Sequence, residues 1–572
     1  MQVIPMLRWP LSILMILILA EAAAGASALL VDGAGTGNFT NIQDAINASE
    51  ADGVIIVLNG TYRENLIVDR SVSLRGDGKP VVAGGNSSAP LITINASGVV
   101  LDGFVFAGGS DDRPVETVEC DYAAVLVLSD GSKIINNTIS SSTGHGLCIL
   151  NSTGHLVSAN QIHDNLLAGI RLAGANHSHV EATEVYGNAY GIFIEGSQHN
   201  WVSNSDIWGN GADGVTIASS FGNELTGNSI HNNSENGVNL LEASYNALVM
   251  NRIKDCGDSG IDIYRSNSNM LTMNIIERCE VMGINIDSGN NNVIVRNNLS
   301  GNDLNGIGIR ASKSNSVMEN VIKHNRESGI SVREKSRENL ITYNAIASNK
   351  RYGIVFDESD LNFVQANEIR ENADGIILRN CRDNTLIENE LDQNGFGISL
   401  EFVQNVIVST NKITNSTRDA VRLQRCDDSK IYANIILDSR GDGVHMIKSA
   451  GTVVSGNDIE RSGEYGVQVL DHSDQNLLML NLIRDSGIGG IYIFDGVFIL
   501  VMSNVLIDNN KFNGRDNGGN RWLSNYYSDF ECEEMMGPTV CAMPFEIHGS
   551  RGAITLDEKP FMNYRALLGR EV

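Results

Sequence analysis

A glycine or alanine followed by Ile, Val or Leu returns every 22, 23 or 24 residues from Ala124 to Gly490, seventeen times in all. Gly146, Gly169, Gly260, Gly353 and Gly443 are among its members. Around it the chain repeats G-[IV]-x-[IVL], then S-x-x-N-x-[VIL], then N-x-[IL]. Each run alternates with period two and is closed by Asn, Ser or Gly, so a unit holds three strands, three corners and no helix. A unit this small cannot bury its own apolar face. Stacking can, by laying each strand beside its copy on the next turn, roughly 4.8 Å away. The expected fold is all-β, a parallel β-helix of about seventeen or more turns forming a rod roughly 80 Å long.

Asparagine supports the same geometry. The chain has 64 Asn and 58 Gly but only 8 Pro, a bias toward one kind of tight turn repeated many times. One column, two residues before the aliphatic of the third strand, reads Asn137, Asn160, Thr183, Ser205, Asn228, Asn251 and onward to Asn457 and Asn481. Amides so stacked can hydrogen-bond along the rod and satisfy backbone groups at the corners. This is scaffold chemistry rather than catalysis.

Both ends need caps, because an open solenoid exposes its core. Thr40 to Glu50 (TNIQDAINASE) reads as an amphipathic helix leading into a strand at Val54 to Leu58. After about residue 510 the repeat gives way to irregular, aromatic sequence. Four segments follow: a signal peptide over 1–28, an N-terminal cap with the first turns over 29–110, the repeats over 111–510, and a C-terminal cap over 511–572. The first rests on Arg8, the apolar run Leu11 to Ala20, and small residues offering cleavage sites that end at Ala24 or Ala28. That run is too short to span a bilayer. The expected location is secreted, at the cell surface or periplasm-like, with no transmembrane anchor.

A net charge of −27 repels nucleic acid and anionic membrane, which excludes both as partners. Eleven N-x-[ST] sequons, Asn38 and Asn298 among them, permit glycosylation without showing it.

The segment NIQDAIN…GVIIVLNGTYREN is similar to the opening of right-handed β-helices of the pectin-lyase-like superfamily. The 22–24-residue turns resemble carbohydrate-binding and sugar-hydrolase β-helix repeats, including the nitrous-oxide-reductase maturation (NosD-type) family. The C-terminal stretch resembles tails of archaeal surface members. The resemblance implies a right-handed helix. In such tails an Asp-rich loop follows the Tyr-Ser-Asp segment. Here Glu531-Cys532-Glu533-Glu534 stands in its place, without the alternating Asp ligands a hard cation needs.

Residues two and four after each repeat glycine point outward in strand one, since side chains alternate. Between the Gly260 and Gly443 turns these become Asp262, Tyr264, Asp287, Arg310, Arg333, Asp357, Arg379, Glu401, Arg422 and His445. Such a face suits a linear glycan. Tyr264, Arg310, Arg333, Arg379, Arg422 and His445 would contact substrate, the arginines by pairing with uronate carboxylates. Asp262, Asp287, Asp357 and Glu401 are the candidate acids, with Asp262 and Asp287 expected at the separation of a general acid/base pair. The competing reading is alternating surface charge for solubility. Gly144-His145-Gly146 resembles the polygalacturonase motif, but the partner aspartates are missing, and that match fails.

His177 and His199 sit eight residues after their glycines on neighbouring turns, with His179 two along the strand and His155 one turn earlier. Grouped imidazoles suit Zn or Cu(II). Among eight cysteines, Cys256 and Cys279 share a corner on consecutive turns and so are disulfide candidates, as are Cys532 and Cys541 in the cap. Cys120 and Cys148 read as buried thiols.

The leading expectation is an exported β-helix that binds polysaccharide or cell-surface glycan along strand one. Whether it also cleaves glycan, as a hydrolase or lyase, is left open, and no cofactor can be named. The alternatives are a purely structural surface protein and a NosD-type copper maturation accessory. The fold does not choose among them.

Overall fold

The computed structural model describes residues 28–84, 89–108, 120–549 and 552–565. The signal-peptide segment lies outside them except for Ala28.

Three stacks of 24, 20 and 21 strands run the length of the molecule, parallel apart from one hairpin at the C-terminal end. One turn shows the plan: strand one is Ile261–Tyr264, strand two Met270–Thr272 and strand three Ile275–Glu277. Each strand pairs in parallel register with its copy one turn on, as Ile261 with Ile284, Leu271 with Ile294, and Ile276 with Leu299. The inward-facing members of all three strands are wholly buried, Ile261, Ile263, Leu271 and Ile276 at 0% exposure. They form one continuous core along the rod. There are about 21 turns, more than the seventeen marked glycines, because early turns such as Leu66–Val68 and Ile92–Ile94 stack without the glycine marker.

Three asparagine ladders hold the corners. Along the column read from sequence, each side-chain oxygen accepts the backbone N–H and amide of the Asn one turn before. Thus Asn274 donates to Asn297 at 2.9 Å through both groups, and Asn297 donates to Asn320 at 2.9 and 3.0 Å. A second ladder runs from Asn200 to Asn384. A third runs from Asn165 to Asn233 and resumes from Asn302 to Asn394. The residue before each member of the first ladder takes a left-handed conformation even where it is Met250, Met273 or Tyr343, at φ of 52°, 54° and 56°. That strain is tolerated because the following Asn ties the corner on both sides.

Helix α1, Ile42–Ala48, caps the first turn by burying Ile42, Ala45 and Ile46. Glu64 accepts its leading N–H groups from Ile42 and Gln43, both at 2.9 Å. At the other end the last turn continues past residue 510 through Phe512–Asp516, Arg521–Leu523 and Tyr526–Tyr527. A hairpin, Phe545–His548 with Ile554–Asp557, closes over it. Its Asp557, fully buried, ends the first ladder by accepting the backbone N–H and side-chain amide of Asn525, both at 2.9 Å, and the Tyr527 hydroxyl at 3.1 Å. An acceptor-only carboxylate terminates a ladder that would otherwise end on unmatched donors.

Candidate functional site

Register places seven of the expected residues in one outward column. Tyr264 lies beside Asp287, then follow Arg310, Arg333, Asp357, Arg379 and Glu401, one per turn. A second column holds Asp262, Asn285, Gly308 and Ser331, passes through buried Val355 and Ile377, and resumes with Ser399, Arg422 and His445.

Most charges in the first column are already matched. Arg310 pairs with Glu334 at 2.6 Å and with Asp287 at 3.6 Å. Arg379 pairs with Glu401 at 2.9 Å, donates to the Tyr352 hydroxyl at 3.1 Å, and lies over that ring. The Asp357 carboxylate accepts the Asn380 amide at 3.3 Å. Arg265 covers the face of Tyr264, 5.0 Å from its centroid. In the second column Arg422 stacks on Phe396 and donates to Gln424 at 3.1 Å. Arg333 is exposed, and among the described residues it has no ion pair.

The expected Asp262–Asp287 pair does not form. Asp262 is in register with Asn285 and Asp287 with Tyr264, so the two acids sit on a diagonal in different columns. Asp262 instead accepts the Asn285 amide at 2.7 Å, and burial pushes its carboxyl up to about 6. Asp357 and Glu401 share a column but have Arg379 between them. No two of the four expected acids are neighbours in one column.

The acids that do meet occupy a position the sequence reading passed over, the residue before the repeat glycine. Asp213, Asp374, Asp419 and Asp442 all stand there, and the signal was a recurring Asp-[Gly/Ala]-[Val/Ile]. Their common role is a corner bracket. Asp213 accepts the backbone N–H of Asn236 at 3.1 Å, Asp374 that of Phe396 at 2.9 Å, Asp419 that of Asp442 at 3.0 Å, and Asp442 that of Tyr465 at 2.9 Å. Only Asp419 and Asp442 fall on consecutive turns. His445 Nδ1 lies between them, 3.1 Å from an oxygen of each. Burial pushes the Asp442 carboxyl up to about 7 against the pull of His445.

The histidine group does not converge. His177 and His199 pack ring to ring at 5.3 Å, while His179 turns to Ser203 at 3.0 Å and lies edge-on to Trp201. His155 is buried between the Ser132 N–H and the Ser152 hydroxyl, and burial lowers its pKa to about 4, so it is neutral. The cysteine expectations change as well. Cys256 and Cys279 are unbonded, buried thiols that replace Asn in the third ladder. In-register neighbours carry parallel Cα–Cβ vectors, which keep their sulfurs side by side, whereas a disulfide needs Cβ atoms turned toward each other. Cys120 and Cys148 are bonded, not free, and so are Cys532 and Cys541.

The family described as "Right handed beta helix region" matches this chain over residues 222–360, 300–417, 335–483 and 402–531, together more than half its length. The chain belongs to that family. Residues 110–269 also match the family described as "Periplasmic copper-binding protein (NosD)". Among the described residues of that stretch, no three His, Cys, Asp or Glu ligand atoms converge. Among the described residues, the one place where three His, Cys, Asp or Glu ligand atoms converge is Asp419, Asp442 and His445, outside it.

A cell surface glycoprotein of Methanothermus fervidus is 34% identical over 132 residues, 22% of this chain and 20% of that protein. A probable pectinesterase/pectinesterase inhibitor of Arabidopsis thaliana is 43% identical over 82 residues, 13% of this chain and 16% of that one. The chain thus spans a fifth or less of either relative. Among solved structures, a PL6-family alginate lyase aligns over 87% of this chain and all of its own, at 11% identity and TM-score 0.38. An Azotobacter vinelandii mannuronan C-5 epimerase module aligns over 62% and 93%, at 14% and 0.37. Among the described residues no helix is long and apolar enough to cross a membrane.

Proposed function

We propose that the protein is exported and binds a polysaccharide or surface glycan along the strand-one face, between the turns of Tyr264 and His445. The observation that carries this reading is the unbroken outward column from Tyr264 to Glu401, one polar or charged side chain per turn. A linear polymer lying along the rod would meet the same chemistry at each rung. Arg333, exposed and outside any ion pair among the described residues, is the guanidinium free to engage a carboxylate. The names of the relatives, a surface glycoprotein, a probable pectinesterase and a periplasmic protein family, support the surface location and the glycan class. Cleavage by Asp262, Asp287, Asp357 or Glu401 draws no support from their geometry, since none of them pairs with another.

A second reading, a structural surface rod, is favoured by the pairing of Arg310 with Glu334 and of Arg379 with Glu401. Charges that satisfy one another across turns need no ligand. The two readings separate on glycan arrays that include polyuronates. The parent protein should bind, and Arg310→Ala with Arg333→Ala should weaken uronate binding by about 1–3 kcal/mol with the fold intact. Binding to no acidic or neutral glycan, or unchanged binding in the double variant, leaves the rod reading in possession.

A further inference from the structure

We propose that Asp419, Asp442 and His445 bind one divalent transition cation of the zinc class, on the strand-one face between the turns of Glu401 and Tyr465. This does not rest on the glycan reading.

The donors come from two consecutive turns. His445 Nδ1 stands 3.1 Å from one oxygen of Asp419 and 3.1 Å from one oxygen of Asp442. All three ligand atoms lie within 4.8 Å of one another. Two ligands of a tetrahedral zinc ion stand about 3.3 Å apart, close to the two imidazole–carboxylate edges. Each carboxylate is also oriented. The other oxygen of Asp419 takes the Asp442 N–H at 3.0 Å, and that of Asp442 takes the Tyr465 N–H at 2.9 Å. The free oxygens are therefore held facing the imidazole, as outer-shell bonds hold metal ligands.

The local charge is left over. The Asp419, Asp442 and His445 side chains are only 15%, 2% and 17% exposed. Among the described residues neither carboxylate pairs with Lys or Arg, and the nearby Arg418 and Arg422 lie instead on the Phe396 ring, at 4.9 and 5.2 Å. Two carboxylates facing one imidazole make this corner rich in acceptor oxygens, which a bound divalent ion would neutralise.

The bracket role leaves one difference. Asp213 brackets its corner the same way, and its second oxygen takes the Thr216 hydroxyl at 2.8 Å and the Asn239 amide at 3.0 Å, three and twenty-six residues on. At Asp442 and Asp419 those two slots are both filled by His445, so one side chain serves two carboxylates. One nitrogen and two oxygens suit a borderline ion, whereas calcium takes six to eight oxygens. Three protein ligands leave a fourth tetrahedral position for a water molecule.

The test is equilibrium dialysis of the full chain against Zn2+ with elemental analysis. One ion per chain should be retained. Asp442→Asn keeps the oxygen that accepts the Tyr465 N–H, and His445→Ala removes the nitrogen. Each should weaken affinity at least tenfold with an unchanged circular dichroism spectrum, while His177→Ala with His199→Ala should leave it within twofold. X-ray absorption of the loaded parent should show one nitrogen-type and two carboxylate ligands without sulfur, which decides the matter even where a variant misfolds. No stoichiometric zinc, sulfur in the shell, or an affinity that survives both variants overturns the proposal.

Discussion

Asn297 sits mid-ladder, and its replacement by Ala measures what the ladders contribute. Its side-chain oxygen accepts the Asn274 N–H and the Asn274 amide, both at 2.9 Å. Its amide donates to Asn320 at 3.0 Å, the Leu271 carbonyl at 2.9 Å and the Val295 carbonyl at 3.2 Å. Truncation orphans the Asn274 N–H outright. The Asn274 amide keeps the Leu248 carbonyl at 2.8 Å, and Asn320 keeps the Asn297 backbone N–H at 2.9 Å. One or two buried groups are therefore left unmatched, at about 1–3 kcal/mol each. The expected loss is about 2–5 kcal/mol, including a small cavity. Asn297→Asp, nearly isosteric, should do at least as badly at neutral pH, because a buried carboxylate would face the Leu271 carbonyl and the Asn320 oxygen. Stability in a solenoid is a sum over neighbouring turns, so the loss should be local. Hydrogen exchange is the assay. The amides of Asn274 and Asn297 should lose protection by that amount, and turns several rungs away should keep theirs. Protection changed by less than about 1 kcal/mol would refute the claim that the ladder supports the left-handed corners.

Two further outcomes follow from strand one and from the cysteines. Ile263→Ala should cost about 2–5 kcal/mol, whereas Asp262→Asn should stabilise at higher pH. The folded pKa of Asp262, about 6, lies above its ordinary 3.8, so its contribution is full below pH 3.8 and is lost as pH rises through 6. Above about pH 7 the variant should gain on the order of 2 kcal/mol over the parent, and in urea titrations the gain should vanish near pH 4. Cys256 and Cys279 should resist alkylation in the native protein, since both are buried and the contact with Cys279, with burial, holds the Cys256 thiol well above its usual range. Non-reducing peptide maps should return them as free thiols alongside linked Cys120–Cys148 and Cys532–Cys541, and a 256–279 linkage would show that the ladder position does not set sulfur direction.

The repeat alone determined that this chain is a stack of three-stranded turns. Period-two alternation decided which side chains enter the core, because in a strand that choice is purely local. Ile261 and Ile263 face inward, and Asp262 and Tyr264 outward, for that reason. The Asn column was legible for the same reason, since a fixed spacing becomes a fixed neighbour once turns stack. Contacts between columns were not legible. Asp262 and Asp287 looked adjacent by turn number, yet a two-residue offset along the strand puts them on a diagonal. Asp419, Asp442 and His445 looked unrelated, yet two corners and one strand bring them within bonding distance. The thiols of Cys256 and Cys279, and the closure of the ladder by Asp557 from a hairpin some thirty residues on, likewise depend on the direction of Cα–Cβ vectors and on how the last turn is covered. A linear repeat encodes spacing but not direction. Tertiary structure supplies direction, and with it the corner where Asp419 and buried Asp442 share a histidine.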